Sequence, residues 1–116
     1  MAALTTGPLR EAGSTVTVDI INEDAAAQQT VIMQAFILET DGTRTPFVSE
    51  TFTIDPGEFA TRTYSIGFTD AVEFQIDVFP SNDFSATFRF ANDLDESIGY
   101  LVRPELTELT AITPIP

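Results

Sequence analysis

The chain has no cysteine, histidine, lysine or tryptophan. Without cysteine there is no disulfide, no thiolate nucleophile and no cross-link through sulfur. Without histidine the Ser/His and Cys/His arrangements of nucleophilic catalysis are excluded, and without lysine so is Schiff-base chemistry. Basic charge is scarce, with five Arg against 18 Asp and Glu and a net charge of −13. Nucleic acid, whose binding rests on cationic contacts to phosphate, is therefore not an expected partner, and an anionic membrane surface is disfavoured for the same reason. No apolar run approaches the ~20 residues that cross a bilayer as a helix, so membrane insertion is not expected. Met1-Ala2-Ala3-Leu4 lacks the charged and apolar regions of a secretory signal, so a position outside the cell would be reached by another route, such as lysis. Only carboxylates remain for acid–base work. Glu73 and Asp77 share one side of an alternating segment, but four residues of strand separate them by about 13 Å. That is too far for a carboxylate pair, and the chain is not expected to be an enzyme.

What is present is strand pattern. At 116 residues the chain is one domain, large enough to bury roughly two-thirds of its unfolded surface. Ten Phe at about 1.5–3 kcal/mol each supply a core that needs no metal or disulfide. The stretch Ala71–Ala91 carries the clearest signal. Val72, Phe74, Ile76 and Val78 alternate with polar residues, and so do Phe84, Ala86, Phe88 and Phe90. A three-residue loop Pro80-Ser81-Asn82 would join these runs as a hairpin, setting Val78 opposite Phe84 and Phe74 opposite Phe88.

Elsewhere the alternation continues. Val16, Val18 and Ile20 define a first strand within Ser14–Asn22. Thr30–Glu39 is apolar on both sides, with Ile32, Phe36 and Leu38 opposite Val31, Met33, Ala35 and Ile37. Asp41-Gly42 is a tight-turn signal; a two-residue turn there pairs Ala35 with Val48, Val31 with Phe52 and, on the other side, Phe36 with Phe47. Glu50 is expected as an inward charge blunting a sheet edge. Asp55-Pro56-Gly57-Glu58 fits a type II turn, and Phe59–Ile66 is expected to cross to a second sheet. Ile98, Tyr100 and Val102 are expected to face the core, and Glu105–Ile112 could add a strand. About eight short strands without a helix of useful length predict an all-β, two-sheet β-sandwich with jelly-roll or Greek-key connections. Its divisions are an N-terminal arm, residues 1–13, the sandwich, residues 14–109, and a C-terminal tail, residues 110–116.

Site candidates are few. The loop residues Asn92, Asp93, Asp95 and Glu96 offer hard oxygen ligands of the kind calcium takes, and equally fit a solvated turn. Carbohydrate platforms are disfavoured, because Tyr64 and Tyr100 sit in core-facing patterns. No cofactor is expected. Ile32, Phe36 and Phe47 would form an apolar outer patch, covered either by an arm of the same chain or by another subunit.

The segments VTVDIINEDAAAQQTVIMQAFIL, FVSETFTIDPGEFATRTYSI, VEFQIDV and LVRPELTEL resemble a family of small β-sandwich proteins of spore-forming Firmicutes, over roughly Val16–Ile112. More loosely, the chain resembles the jelly-roll subunits of bacterial endospore appendages, whose N-terminal arms reach into neighbours to build fibres. Those arms often carry cross-linking cysteines, which residues 1–13 lack. The resemblance implies no catalytic residues. The expected function is thus that of a homo-oligomeric, self-assembling structural subunit of an extracellular or spore-surface fibre. It would be joined by strand complementation through Leu4, Leu9, Ile32, Phe36, Phe47, Ile112 and Ile115. A virion decoration or tail component and a monomeric ligand- or calcium-binding module are the alternatives.

Overall fold

The alternating segments fold as strands whose apolar sides close on each other in two antiparallel sheets in the computed structural model, which describes residues 2–10, 13–66, 71–92, 97–103 and 106–115. In chain order the strands are β1 (Ala2–Thr5), β2 (Leu9–Arg10), β3 (Thr15–Asn22), β4 (Gln29–Leu38), β5 (Arg44–Ile54), β6 (Phe59–Ser65), β7 (Ala71–Phe79), β8 (Phe84–Ala91), β9 (Ser97–Val102) and β10 (Thr107–Leu109). One sheet, A, has the order β10-β1-β7-β4-β5, with β2 also on β7; the other, B, has the order β6-β3-β8-β9. The all-β sandwich is as the pattern predicts. Strands β3 and β4 lie in different sheets, as do β7 and β8, and β3 pairs with β8 while β4 pairs with β7.

That nesting corrects the expected hairpin at Ala71–Ala91. Strands β7 and β8 do not pair; they face each other across the core, and the rings of Phe74 and Phe88 meet at 5.7 Å. A run that is apolar on one side is satisfied equally by a neighbour in its sheet or by a partner sheet above it, so period two alone cannot choose between them. Strand β7 instead takes β4 on one side and β1 with β2 on the other, and every residue from Ala71 to Val78 is buried.

The N-terminal segment is correspondingly no free arm. Ala3 and Leu4 are buried in β1, which lies between β7 and β10. Gly7, at φ 67°, lets the chain step between β1 and β2 while both stay on β7, a conformation that a Cβ would strain.

The β4–β5 hairpin keeps Ala35 opposite Val48 and Val31 opposite Phe52, as expected. Its turn has three residues rather than two. The Glu39 N–H donates to the Thr43 carbonyl at 2.9 Å, with Gly42 at φ 90° closing the loop. The register is recovered by a bulge that sets Phe36 opposite Pro46 and leaves Phe47 over. Phe47 consequently turns inward, its ring 6.3 Å from that of Phe74, and the expected outer pair of Phe36 with Phe47 does not form. The Asp55–Glu58 turn and the crossing of Phe59–Ser65 to the second sheet are as expected: Glu58 donates to the Asp55 carbonyl at 3.0 Å with Gly57 at φ 74°.

Strand β9 is the other correction. Tyr100-Leu101-Val102 is apolar at each position, so periodicity does not select a face. Pairing with β8 does, setting Leu101 opposite the inward Phe88 and leaving Tyr100 and Val102 exposed.

Candidate functional site

The outer side of sheet A departs most from what composition would suggest. On an exposed strand, Glu73, Gln75 and Asp77 would be the solvated side; here they are 3%, 2% and 6% exposed. Strand β4 sets Gln34 opposite Gln75 and Ile32 opposite Asp77, and β1 sets Thr5 opposite Gln75. The C-terminal segment, residues 110–115, crosses this face. The Thr113 N–H donates to Gln75 Oε1 at 2.7 Å, Gln75 Nε2 donates to Thr113 Oγ1 at 2.9 Å, and Gln34 Nε2 donates to the Thr113 carbonyl at 2.8 Å. Pro114 has no N–H to leave unpaired at the next position, which suits a segment that lies on a face without pairing as a strand.

Glu73 is the electrostatic centre. Its Oε2 accepts from the Thr5 hydroxyl at 2.5 Å and from Gln75 Nε2 at 3.1 Å, and its Oε1 accepts from Arg44 Nε at 2.8 Å. Burial works to raise the Glu73 pKa, but the Thr5, Arg44 and Gln75 hydrogen bonds together hold it below the ordinary carboxylate range. The charge is therefore present at neutral pH, with a guanidinium beside it. Thr5 Oγ1 also accepts from the Gly7 N–H at 2.9 Å, so this hydroxyl is held on both sides. Beyond Arg44 a cleft of about 380 Å³ opens at the end of the sheet, lined by Pro8, Arg10, Leu38, Glu39 and Arg44 among others.

Asp77 has the opposite environment. Its Oδ1 is buried without a hydrogen-bond partner, and burial pushes its pKa up. A raised folded-state pKa means that ionised Asp77 opposes folding at neutral pH and that this opposition is relieved as the pH falls through the folded value. Asp77→Asn is accordingly expected to stabilise the domain by about 1–2 kcal/mol at pH 7. The gain should shrink to nothing near pH 3, where wild-type Asp77 is itself neutral, and denaturation curves at the two pH values check both halves.

The residues expected to form an assembly surface are mostly used within the chain. Leu4 and Phe36 are buried; Leu9 and Phe47 pack partly buried against the core, and Ile32, Ile112 and Ile115 are half-buried. The calcium candidates Asp93, Asp95 and Glu96 lie outside the described residues, and among the described residues no group of three or more carboxylates could hold a metal ion. Sequence reasoning missed the array of Thr5, Glu73, Gln75 and Thr113. Its one signal was the two-sided apolar β4, which required its neighbours to be covered on both sides.

Large exposed apolar side chains gather elsewhere, on sheet B. Among the described residues they are Phe59 at 70%, Tyr100 at 60%, Ile21 at 44% and Val102 at 41%. Phe59 lies on β6, Tyr100 and Val102 on β9, and Ile21 stands opposite Phe59. Between these edges the outer face is hydroxyl-rich: Thr17 and Thr63 share a hydrogen bond at 3.2 Å, and Thr61 donates to Asp19 at 2.6 Å. The side where β5 approaches β6 is closed by Glu50, which pairs with Arg62 and accepts from the Tyr64 hydroxyl. Burial, then that hydrogen bond, pushes the Tyr64 pKa well above its ordinary range. Arg62 also lies over the Phe52 ring at 4.1 Å. The charge expected to blunt an edge thus ties the two sheets together.

No protein-family model matches the chain, and no curated protein is similar to it in sequence.

Proposed function

We propose that the chain is a non-enzymatic structural subunit that associates with copies of itself through the two edges of sheet B. One observation carries this reading: among the described residues, three of the four large exposed apolar side chains lie on the strands that bound that sheet. In a chain with 18 acidic residues, β6 and β9 contain none. The edges of sheet A are defended in contrast. Strand β5 carries Pro46 and a bulge, and β10 has three residues with Glu108 among them. Strand direction supports the same reading. Three antiparallel steps separate β6 from β9, so they run opposite ways. The β9 edge of one copy can therefore meet the β6 edge of the next as a further antiparallel pair. Such a joint uses different surfaces on the two copies and grows into an open filament rather than a closed dimer. A surface fibre is the proposed setting, as for the appendage subunits that the sequence pattern resembles.

The net charge of −13 opposes association until salt screens it within about 8–10 Å. Light scattering behind size-exclusion chromatography, with electron microscopy of the same fractions, is expected to show larger assemblies at high than at low ionic strength. Phe59→Lys, at an exposed position, should reduce them without lowering the denaturation midpoint. Full-length protein that stays monomeric at both ionic strengths would overturn the reading in favour of a monomeric binding module.

A further inference from the structure

Thr5, Glu73, Gln75 and Thr113 form one hydrogen-bonded cluster within the chain. A hydroxyl donates to a buried carboxylate, Thr5 Oγ1 to Glu73 Oε2 at 2.5 Å, which is a nucleophile held by its base. The same Oε2 accepts from Gln75 Nε2 at 3.1 Å, so the base also touches the group that would leave. The Gln75 carbonyl oxygen accepts the Thr113 N–H at 2.7 Å, a donor placed where negative charge would develop. Thr5 and Gln75 are directly opposed in the β1–β7 register, which brings their side chains onto one side of the sheet within reach of each other. The side-chain amide orientation is forced by its partners, because the reverse would set a carbonyl oxygen against the carboxylate. All three side chains on β1 and β7 are at most 6% exposed, and this exclusion of water disfavours hydrolysis.

We propose that the fold joins Thr5 to Gln75 covalently, as an ester between the threonine Oγ and the glutamine Cδ. Glu73 takes the hydroxyl proton as an Oγ lone pair forms the bond to Cδ, and the carbonyl electrons move onto Oε1 beside the Thr113 N–H. The tetrahedral centre then collapses. The Cδ–Nε2 bond breaks, its electron pair takes the proton back from Glu73, and ammonia leaves. One C–O bond has formed, one C–N bond has broken and the carboxylate is regenerated, with no oxidant or reductant required. Arg44 acts as a positioning residue, keeping Glu73 ionised and oriented. The link would tie the first strand to the centre of sheet A in a chain that has neither cysteine for a disulfide nor lysine for an isopeptide.

Intact mass spectrometry of the full chain, fresh and after prolonged incubation at neutral pH, tests this. The expected mass lies below the sequence mass by one ammonia, about 17 Da. Tryptic mapping should find residues 1–10 joined to residues 63–89, and hydroxylamine should separate them. Thr5→Val and Glu73→Gln should show the full mass, whereas Thr5→Ser and Thr113→Val should retain the loss, since the Thr113 donor is a backbone group. Circular dichroism of each variant confirms that it is folded, so that a missing link is not read from an unfolded chain. The full sequence mass in fresh and aged wild-type protein overturns the proposal. A link between residues 63–89 and 90–116 also overturns it, because Thr113 would then be the nucleophile.

Discussion

Phe74→Ala is expected to lower the unfolding free energy by about 3–5 kcal/mol. Phe74 is fully buried, and its ring is met by Phe47 from β5, Tyr64 from β6 and Phe88 from β8, at 6.3, 5.9 and 5.7 Å. Those three rings come from both sheets and from the closed side of the sandwich. Each is anchored by its own strand pairing, so none can slide in to fill the void, and the residual cavity adds to the lost burial. Phe59→Ala provides the comparison. That side chain is 70% exposed, and its removal should move the midpoint by less than about 0.5 kcal/mol. Urea denaturation of both variants decides the matter. A Phe74→Ala midpoint close to wild type would mean that the two sheets do not pack around this ring.

Asn22→Ala is expected to cost about 2–4 kcal/mol, although it deletes only a small polar side chain. Asn22 is 1% exposed at the end of β3. Its Nδ2 donates to the Ala27 carbonyl at 2.8 Å and to the Ile54 carbonyl at 2.9 Å, and its Oδ1 accepts from the Asp24 N–H at 2.9 Å. One side chain therefore ties the connection after β3 to the end of β5 in the opposite sheet. Truncation strands the Ile54 carbonyl in a buried position, and the desolvation penalty of an unpaired group exceeds the net value of the bond itself. Asn22→Asp tests the assignment, since a carboxylate cannot donate to two carbonyls. It should destabilise by a similar amount at pH 7, and a neutral outcome for both variants would rule out this role.

Phe59 and Tyr100 show why the exposed apolar surface was only partly legible. In Phe59-Ala-Thr-Arg-Thr-Tyr-Ser65, the pattern places Tyr64 inward, as it is, but does not say that Phe59 is left exposed. The register with β3 puts Phe59 opposite the exposed Ile21, and Tyr64 against Phe74. Tyr100 was expected inside and lies outside for the same reason, since both of its neighbours in β9 are also apolar or small. The array around Glu73 was less legible still. It joins Glu73 and Gln75, two apart on one strand, to residues 5, 44 and 113, which no spacing rule connects to them.

Composition and local pattern determined much by themselves. Alternation at period two required strands, because only an extended backbone puts every second side chain on one side. Asp41-Gly42 and Pro56-Gly57 required turns, because Gly42 and Gly57 take a positive φ that other residues rarely adopt. The absence of cysteine, histidine and lysine removes whole classes of chemistry whatever the fold. The tertiary structure decided which strands became neighbours, and with that every property that depends on pairs distant in sequence. It set β7 and β8 across the core rather than side by side. It drew residues 2–10 into sheet A and laid the segment around Thr113 over Gln34 and Gln75. The physical reason is that a strand's own sequence specifies which of its sides is apolar, whereas burial of the other side is a property of whatever lies against it. A glutamate on the polar side of a strand has no special chemistry in water. Covered by a distant threonine and arginine, and by Gln75 of its own strand, the same residue is buried and held ionised by their hydrogen bonds.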